Sequence, residues 1–302
     1  MTGNKDVFLG CLCATGCETL FGLSYIFTKQ ATESASEFAL LGWRFLIAAI
    51  VMSLSVILGF IKINLKGKSI KPLLLVALFS PCLYFIGETI GISKTTASES
   101  GVFLACIPVA ALTASSIILK KRPAKLQTGG VLITLIGIIF TVVAVGMDAS
   151  LSILGYLFLM IAVASYAMYS VFVDKASEYT GAEITYIMLL AGAAVFILLA
   201  IIEAVINHSF ADLTILPFVN MDFLVAILYQ GIGCSVIAFF LSNIAISKIG
   251  VNRAASFIGV STAVSIAAGA FLLKESFSLY QLIGAAVIIF GVYVANSKVK
   301  VQ

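Results

Sequence analysis

Long apolar segments separated by short polar connections fill almost the whole chain. Each segment is continuous and spans about 20 residues, the length of an α-helix that crosses a bilayer. Strands of membrane β-barrels are short and alternate apolar with polar residues, so the pattern favours helices. The sequence therefore predicts an all-α integral membrane protein with ten transmembrane helices, at residues 7–28, 38–61, 72–93, 97–119, 127–146, 151–173, 184–206, 223–247, 251–273 and 279–296.

Composition agrees with a location inside lipid. Of the 302 residues, 61% are hydrophobic and only 11% are charged, whereas soluble domains carry about 25% charged residues. The longest connection, residues 208–222, is predicted to be a loop, which leaves no room for a large soluble domain. The first segment is too long for the core of a cleavable signal peptide, so we expect it to be a membrane helix.

The six cysteines lie inside the apolar segments, and none forms a Cys-x-x-Cys pair. The single histidine, His208, lies in the predicted loop. Metal sites and disulfide frameworks need clustered ligands or a regular cysteine spacing. We therefore expect no metal, no cofactor and no disulfide, and we interpret the cysteines as small packing residues.

Basic residues are concentrated at one end of the predicted helices. Ten spans place both termini on one side, and that side carries fourteen of the 18 lysines and arginines, against three on the other and Arg44 within a span. Because cytoplasmic loops are enriched in lysine and arginine, we expect both termini on the cytoplasmic side of the cell membrane. The same rule explains the basic loops as topology signals rather than as nucleic-acid sites.

Two parts of the chain resemble one another. Residues 92–137 and 246–291 share ten identical positions in 46 without a gap, including Lys, Gln and Gly, which a shared apolar bias explains poorly. A weaker match at an offset of 145 links the first and sixth segments. We expect two repeats of five helices, residues 1–147 and 151–302. Because five is odd, the second repeat would insert in the opposite sense, as in secondary transporters whose substrate site lies between the halves.

Several motifs resemble EamA-type carriers of the drug/metabolite transporter superfamily. Residues 22–29 are similar to the signature that ends the family's first helix, although Phe21 stands where tryptophan is usual. Residues 43–45, Trp-Arg-Phe, resemble its arginine-bearing second helix. Residues 120–123 depart from the pattern, because they lack the glutamate that Glu275 supplies in the second repeat. The family's ninth and tenth helices resemble residues 254–275, 281–285 and 291–294.

The resemblance covers nearly the whole chain. It implies ten helices, two EamA repeats and export or exchange of a small metabolite across the lipid bilayer. Members of the family differ widely in substrate, so the resemblance does not fix the solute.

Glu18 lies near the middle of the first segment, where an ionised side chain costs about 2.5–3.5 kcal/mol on insertion scales. Gly22, Tyr25 and Lys29 follow at spacings of four, three and four residues, so they share one helix face with Glu18. This stripe is a candidate lining of a substrate pathway, in which Glu18 accepts a proton or binds a cationic group. The alternative is a structural carboxyl that pairs with a neighbouring helix.

Glu88 lies in the third segment with Tyr84 one turn before it, and Arg44 lies in the second segment. Glu88 and Tyr84 suit a substrate cavity or a pairing role equally well. Arg44 is a candidate to bind a carboxylate or phosphate. It could equally pair with Glu88 or extend outward to the membrane interface.

Two amides in the eighth segment complete the candidate substrate site. Gln230 lies next to two glycines, and Asn243 lies further along the same segment. Buried amides bridge helices as often as they contact solutes, so both roles stay open.

Prolines are expected to bend two of the helices. Pro81 with Gly87 interrupts the third segment, and Pro108 stands in the middle of the fourth. Proline removes a backbone hydrogen bond from a helix and frees the carbonyl one turn before it.

These patterns favour a secondary transporter that moves a small metabolite by alternating access. An acid near the midplane and an arginine suit an amino acid or a related zwitterion, and protons are a candidate coupling ion. The alternative is a non-transport membrane protein such as an intramembrane enzyme or a sensor. An intramembrane protease needs a serine with a histidine or paired aspartates, and no such pair lies inside the segments. The sequence leaves open whether the protein is a monomer or a homodimer.

Overall fold

The computed structural model describes residues 4–32, 34–94, 103–104, 106–120, 123–145, 152–272 and 279–296, and most of these residues are helical. No β-strand occurs in those ranges. A π-helical segment, Leu78–Leu83, joins two of the helices without a loop. Up to residue 145 the helices are α1 (Asn4–Thr32), α2 (Glu37–Ile57), α3 (Lys71–Ala77), α4 (Tyr84–Lys94), α5 (Ile107–Ile118) and α6 (Lys125–Val145).

The later part of the chain is also mostly helical over its described residues. A second π-helical segment, Tyr229–Ala238, continues one helix directly into the next. From residue 153 the helices are α7 (Ile153–Lys175), α8 (Gly181–Ile206), α9 (Phe210–Val219), α10 (Met221–Leu228), α11 (Phe239–Ile249), α12 (Val251–Ser256), α13 (Ile258–Leu272) and α14 (Leu279–Asn296).

Six described helical stretches are long and apolar enough to cross a bilayer. Each coincides with one of the ten apolar segments, and the other four segments are also helical over their described residues. The six stretches are Lys5–Ser24, Glu37–Ile57, Lys71–Gly91, Ile153–Lys175, Gly181–Ile206 and Met221–Ile249.

The prediction of a loop over residues 208–222 is wrong, because the structure contains α9 (Phe210–Val219) there. Asp212 and Pro217 are typical of loops, but α9 is otherwise apolar and its Leu216 packs against a cluster that includes Leu40. The indole N–H of Trp43 also donates a 2.9 Å hydrogen bond to the carbonyl of Leu213. Tertiary contacts therefore stabilise a helix where the local sequence indicates a turn.

Pro81 interrupts its helix as expected, but the prediction that Pro108 bends the middle of a helix is wrong. Ser80 has an extended backbone next to Pro81, at the centre of the π-helical segment between α3 and α4. Pro108 lies in the first turn of α5 rather than in the middle of a helix. A proline is tolerated in a first turn because its missing N–H would have no helical partner there.

Polar side chains fix the starts of several helices. The Ser36 hydroxyl accepts from the backbone N–H of Ala39 at 3.1 Å, at the start of α2. At the start of α8, Thr180 and Glu183 form a reciprocal capping box. These contacts satisfy backbone N–H groups that the first turn of a helix leaves unpaired.

The surface of the protein is unusually apolar, and the mostly apolar core contains a few charged side chains. Large apolar side chains face outward, among them Phe8 at 71% exposure, Ile57 at 78% and Phe218 at 83%. Buried positions instead include the charged side chains of Glu18 and Arg44. An apolar exterior is what lipid contact requires, and charged groups inside the bundle are shielded from the lipid.

Helices from the two parts of the chain pack against each other. α6 runs along α14, α2 along α8, α1 along α11 and α13, and α7 along α4 and α5. Backbones approach closely at glycines: a Cβ on Gly130 would lie 2.3 Å from the backbone nitrogen of Ala295 on α14. A Cβ on Gly22 would lie 2.5 Å from the carbonyl oxygen of Ser261 on α13. Small residues at such contacts are typical of membrane helix pairs.

Candidate functional site

Glu18 lies midway along α1 (Asn4–Thr32) and is only 6% exposed. The Ser261 hydroxyl of α13 lies within hydrogen-bonding reach of its carboxyl group. Tyr166 and Tyr169 of α7 and the neighbouring Cys17 are close enough to interact with it electrostatically. Within the described part of the chain, Glu18 forms no ion pair. The carboxyl therefore lies in a polar pocket between helices and does not face lipid.

Tyr169 connects this pocket to a buried hydrogen-bond network. Its hydroxyl donates to Asn243 Oδ1 at 2.8 Å and lies 3.3 Å from the Ser242 hydroxyl. The amide nitrogen of Asn243 donates to Thr185 at 2.9 Å and contacts the sulfur of Met188 at 3.6 Å. Asn243 is completely buried, and its amide holds α7, α8 and α11 together. Direct substrate binding by Asn243 stays a prediction.

Arg44 forms a second polar cluster on α2, where it is 4% exposed. Its Nε donates to the Ser235 hydroxyl at 2.8 Å and its Nη1 to Gln230 Oε1 at 3.2 Å. Gln230 in turn donates from its amide nitrogen to the Thr28 hydroxyl of α1 at 3.0 Å. The cluster therefore joins α1, α2 and the second π-helical segment. Arg44 does not extend outward to the membrane interface, which excludes one of the three roles considered for it.

The π-helical winding explains how Gln230 and Ser235 reach the same guanidinium. In an α-helix, side chains three or four residues apart are neighbours, whereas positions five apart point in different directions. A π-helix bonds each N–H to the carbonyl five residues before it, which brings positions five apart closer to one face. Such segments occur often at functional sites.

Tyr84 and Glu88 lie together on α4, beside the Arg44 cluster. The Tyr84 hydroxyl donates to Glu88 Oε1 at 2.7 Å. Both side chains are close enough to Arg44 to interact electrostatically, but Glu88 forms no salt bridge in the described structure. The Cζ of Arg44 lies 4.4 Å above the Phe85 ring. The structure thus brings Arg44 and Glu88 near each other without forming the ion pair considered from the sequence.

Two buried thiols lie between the Glu18 and Arg44 clusters. Cys234 interacts electrostatically with Arg44 and with Cys17, and Cys17 interacts with Glu18. Cys234 also contacts the Leu20 carbonyl of α1 at 3.5 Å. Cys17 and Cys234 therefore link the carboxyl of Glu18 to the guanidinium of Arg44 through successive electrostatic interactions.

Most of the predicted site residues fall into these two clusters, with one outside the described structure. Tyr25 belongs to α1, but its side chain lies outside the described part. Sequence reasoning missed Ser235, Thr28 and Ser261 as partners of the charged groups. Hydroxyl residues are frequent in membrane helices, and only the fold shows which of them face Arg44 or Glu18.

Three further described carboxylates lie near helix ends and have partners there. Glu183 accepts from Lys68 at 2.9 Å, and Asp6 pairs with Lys248 at 2.6 Å. Glu203 accepts a hydrogen bond from the Ser36 hydroxyl. These contacts anchor loops and helix ends and leave Glu18 and Glu88 as the described acids deepest in the bundle.

The fold and the enclosed charged clusters define a multi-pass helical membrane protein of the transporter type. The chain belongs to the EamA-like transporter family, whose model matches residues 8–143 and again residues 153–297. Membership implies a small-molecule substrate and a lipid environment.

Named relatives agree with this assignment. The uncharacterized transporter YcxC of Bacillus subtilis (strain 168) is 33% identical over 282 residues, covering 92% of this chain and 89% of the relative. The uncharacterized transporter YetK of the same organism is 25% identical and covers 93% of this chain and 84% of its own. A solved crystal structure with 18% identity matches the fold with a TM-score of 0.78, over 95% of this chain and 98% of the other.

Proposed function

We propose that the protein is a secondary transporter that carries a small metabolite across the cytoplasmic membrane by alternating access. The observation that carries the proposal is the position of the charged clusters: the hydrogen bonds of Arg44 all run from α2 to the second π-helical segment. Gln230 continues this connection to α1. Each cluster is therefore assembled from residues that lie far apart in the chain and meet at the centre of the bundle.

Two inverted five-helix repeats, residues 1–147 and 151–302, would give this site its two accessible states. The double match to the family model supports the division. The helix contacts support it as well, since α1 packs on α11 and α13 as α7 packs on α4 and α5. The two π-helical segments, Leu78–Leu83 and Tyr229–Ala238, also fall at corresponding places at an offset of 154.

Ten transmembrane helices with both termini in the cytoplasm complete this proposal. Lys68 with Glu183 and Asp6 with Lys248 are ion pairs on the side that the basic residues predict to be cytoplasmic. In this arrangement export or exchange of the solute follows from closing one end of the bundle while the other opens.

The buried acid and the buried arginine suit a zwitterion such as an amino acid. Glu18 would receive a cationic group or a proton, and Arg44, linked to it through Cys17 and Cys234, would receive the acidic group. Protons are the proposed coupling ion. When Glu18 binds a proton its carboxyl group is neutral, which avoids the cost of an ionised group inside the membrane.

A metabolite screen followed by counterflow tests transport. Culture media of cells with and without overexpression are compared, and the enriched solute is loaded into liposomes that contain the purified protein. We expect saturable uptake of labelled solute that unlabelled solute on the other side accelerates. Flux that rises without saturation and shows no counterflow would indicate a channel, and the absence of any solute-dependent flux would contradict transport.

A further inference from the structure

We propose that Arg44 is the anchoring site for a carboxylate group of the substrate, which binds at its Nη2 atom. This inference rests on the proposed transport function and names the substrate class: a small solute with at least one carboxylate. The site lies between α2, α4 and the second π-helical segment.

The guanidinium of Arg44 has an unused donor. Two of its nitrogens donate to neutral partners, Ser235 and Gln230. The third, Nη2, is buried and has no hydrogen-bond partner in the described part of the protein. Leaving a donor of a charged group unpaired in a buried site is costly, so a ligand that accepts from Nη2 would be stabilised strongly.

The positive charge of Arg44 also has no direct ion-pair partner among the described residues. Ser235 and Gln230 are uncharged, and Glu88 is held by the Tyr84 hydroxyl at 2.7 Å without an ion pair to Arg44. A buried charge in a membrane protein normally pairs with an opposite charge or faces a solute pathway. A carboxylate at Nη2 would supply both the missing acceptor and the missing charge.

Local geometry favours a carboxylate over a phosphate. One face of the guanidinium is covered, because its Cζ lies 4.4 Å from the centre of the Phe85 ring. A ligand cannot approach from that face, and the planar fork of the guanidinium suits a planar carboxylate. A phosphate dianion would need more positive charge than this single arginine supplies, and the nearby Glu88 would repel its double charge more strongly than the single charge of a carboxylate.

Binding can be tested before the transported solute is known. Trp43, the only tryptophan of the chain, directly precedes Arg44, so its fluorescence reports thermal unfolding of the purified protein. The probes are butyrate, 4-aminobutyrate and L-leucine, each compared with its carboxamide, together with inorganic phosphate. At about 10 mM we expect at least one carboxylate to raise the unfolding midpoint by about 3 °C, and its carboxamide to have no effect.

The variant Gln230→Glu tests the assignment to Arg44 without removing the arginine. The new carboxylate lies where Oε1 already accepts from Nη1, so it neutralises the guanidinium from inside the protein. We expect the carboxylate-induced shift to fall below one third of the wild-type value while the variant stays folded. Gln127→Glu is the matched control, because Gln127 is a buried amide on α6 whose oxygen accepts from the Ala124 N–H. Gln127→Glu should keep the full carboxylate-induced shift. Arg44→Lys should keep part of it.

Several results would overturn the inference. They are equal stabilisation by carboxylates and carboxamides, stabilisation by phosphate alone, an unchanged carboxylate effect in Gln230→Glu, or no stabilisation by any carboxylate. Transport is judged separately. Counterflow of a solute without an acidic group, unimpaired in Gln230→Glu, would refute the carboxylate site but leave the carrier intact. Carboxylate binding through Arg44 without any flux would refute transport but leave the binding site intact.

Discussion

Arg44 and Gln230 are separated by 186 positions in the chain, yet a hydrogen bond of 3.2 Å joins their side chains inside the bundle. Gln230 is 1% exposed and also donates to Thr28, so it links two helices of the early part of the chain to the second π-helical segment. The buried amide thereby positions the guanidinium that we assign to the substrate. Any movement of α2 relative to this segment must break or rearrange that contact.

Replacing Glu18 by glutamine should uncouple transport from the proton gradient. The amide keeps the size of the side chain and its contact with Ser261, but it cannot exchange a proton. We expect gradient-driven flux to fall to the level seen without a pH gradient, because the amide cannot take up or release the coupling proton, and the remaining flux to lose its pH dependence. Proteoliposomes with an imposed pH gradient provide the measurement.

Glu178→Gln is the control for that experiment, because it makes the same chemical change on an exposed residue between α7 and α8. It should leave flux and its pH dependence unchanged. Full, pH-dependent flux in Glu18→Gln would refute the coupling role of Glu18.

The contact between α6 and α14 should be sensitive to a single methyl group. A Cβ on Gly130 would lie 2.3 Å from the Ala295 backbone nitrogen, whereas a Cβ on the adjacent Gly129 meets nothing within 4 Å. We expect Gly130→Ala to destabilise the protein by about 1–3 kcal/mol through overpacking, and Gly129→Ala to be neutral or slightly stabilising. Thermal unfolding in detergent compares the two. Equal midpoints would show that the helices do not approach this closely.

Tyr169 and Asn243 should be energetically coupled. Removing the hydroxyl in Tyr169→Phe leaves the Asn243 oxygen without its donor at 2.8 Å, which should cost about 1–3 kcal/mol. In a double-mutant cycle with Asn243→Ala, we expect the two costs to be less than additive because both variants remove the same bond. Tyr293→Phe, at a tyrosine that is 69% exposed on α14, should have little effect. Additive costs would place the two side chains in separate networks.

Two ion pairs at the helix ends should differ in strength. Glu183 is 3% exposed at its side chain and accepts from Lys68, from the Asn64 N–H and from the Thr180 N–H. Glu183→Gln should therefore destabilise by about 1–3 kcal/mol. Asp6 pairs with Lys248, but both side chains are well exposed, so Asp6→Asn should cost less than about 1 kcal/mol. Unfolding midpoints that rank the two variants in the reverse order would contradict this assignment.

The apolar segments predicted the helices well because a membrane helix must satisfy its own backbone and present apolar side chains to lipid. Each membrane helix meets this requirement with its own residues, as Gly181–Ile206 does, so the local sequence is enough to predict it. Where a helix depends on tertiary contacts the prediction failed. α9 contains Asp212 and Pro217, and its packing beside Leu40 and Trp43 cannot be deduced from neighbouring residues.

The charged residues of the candidate site were also visible in the sequence, because Glu18, Glu88 and Arg44 are rare exceptions inside apolar segments. Their partners were not visible. Ser235 is one of many hydroxyl residues, and α-helical spacing does not group it with Gln230. Only the π-helical winding of residues 229–238 brings the two to one guanidinium.

The opposite insertion of the two halves can be measured directly by tag accessibility in the full-length protein. One epitope tag is inserted between Asp148 and Ala149, and in a second version the same tag follows Gln302. Antibody labelling of intact spheroplasts should reach the first tag and should reach the second only after the membrane is permeabilised. If both tags label from the same side, the second half crosses the membrane an even number of times, and a site between two inverted five-helix repeats is ruled out.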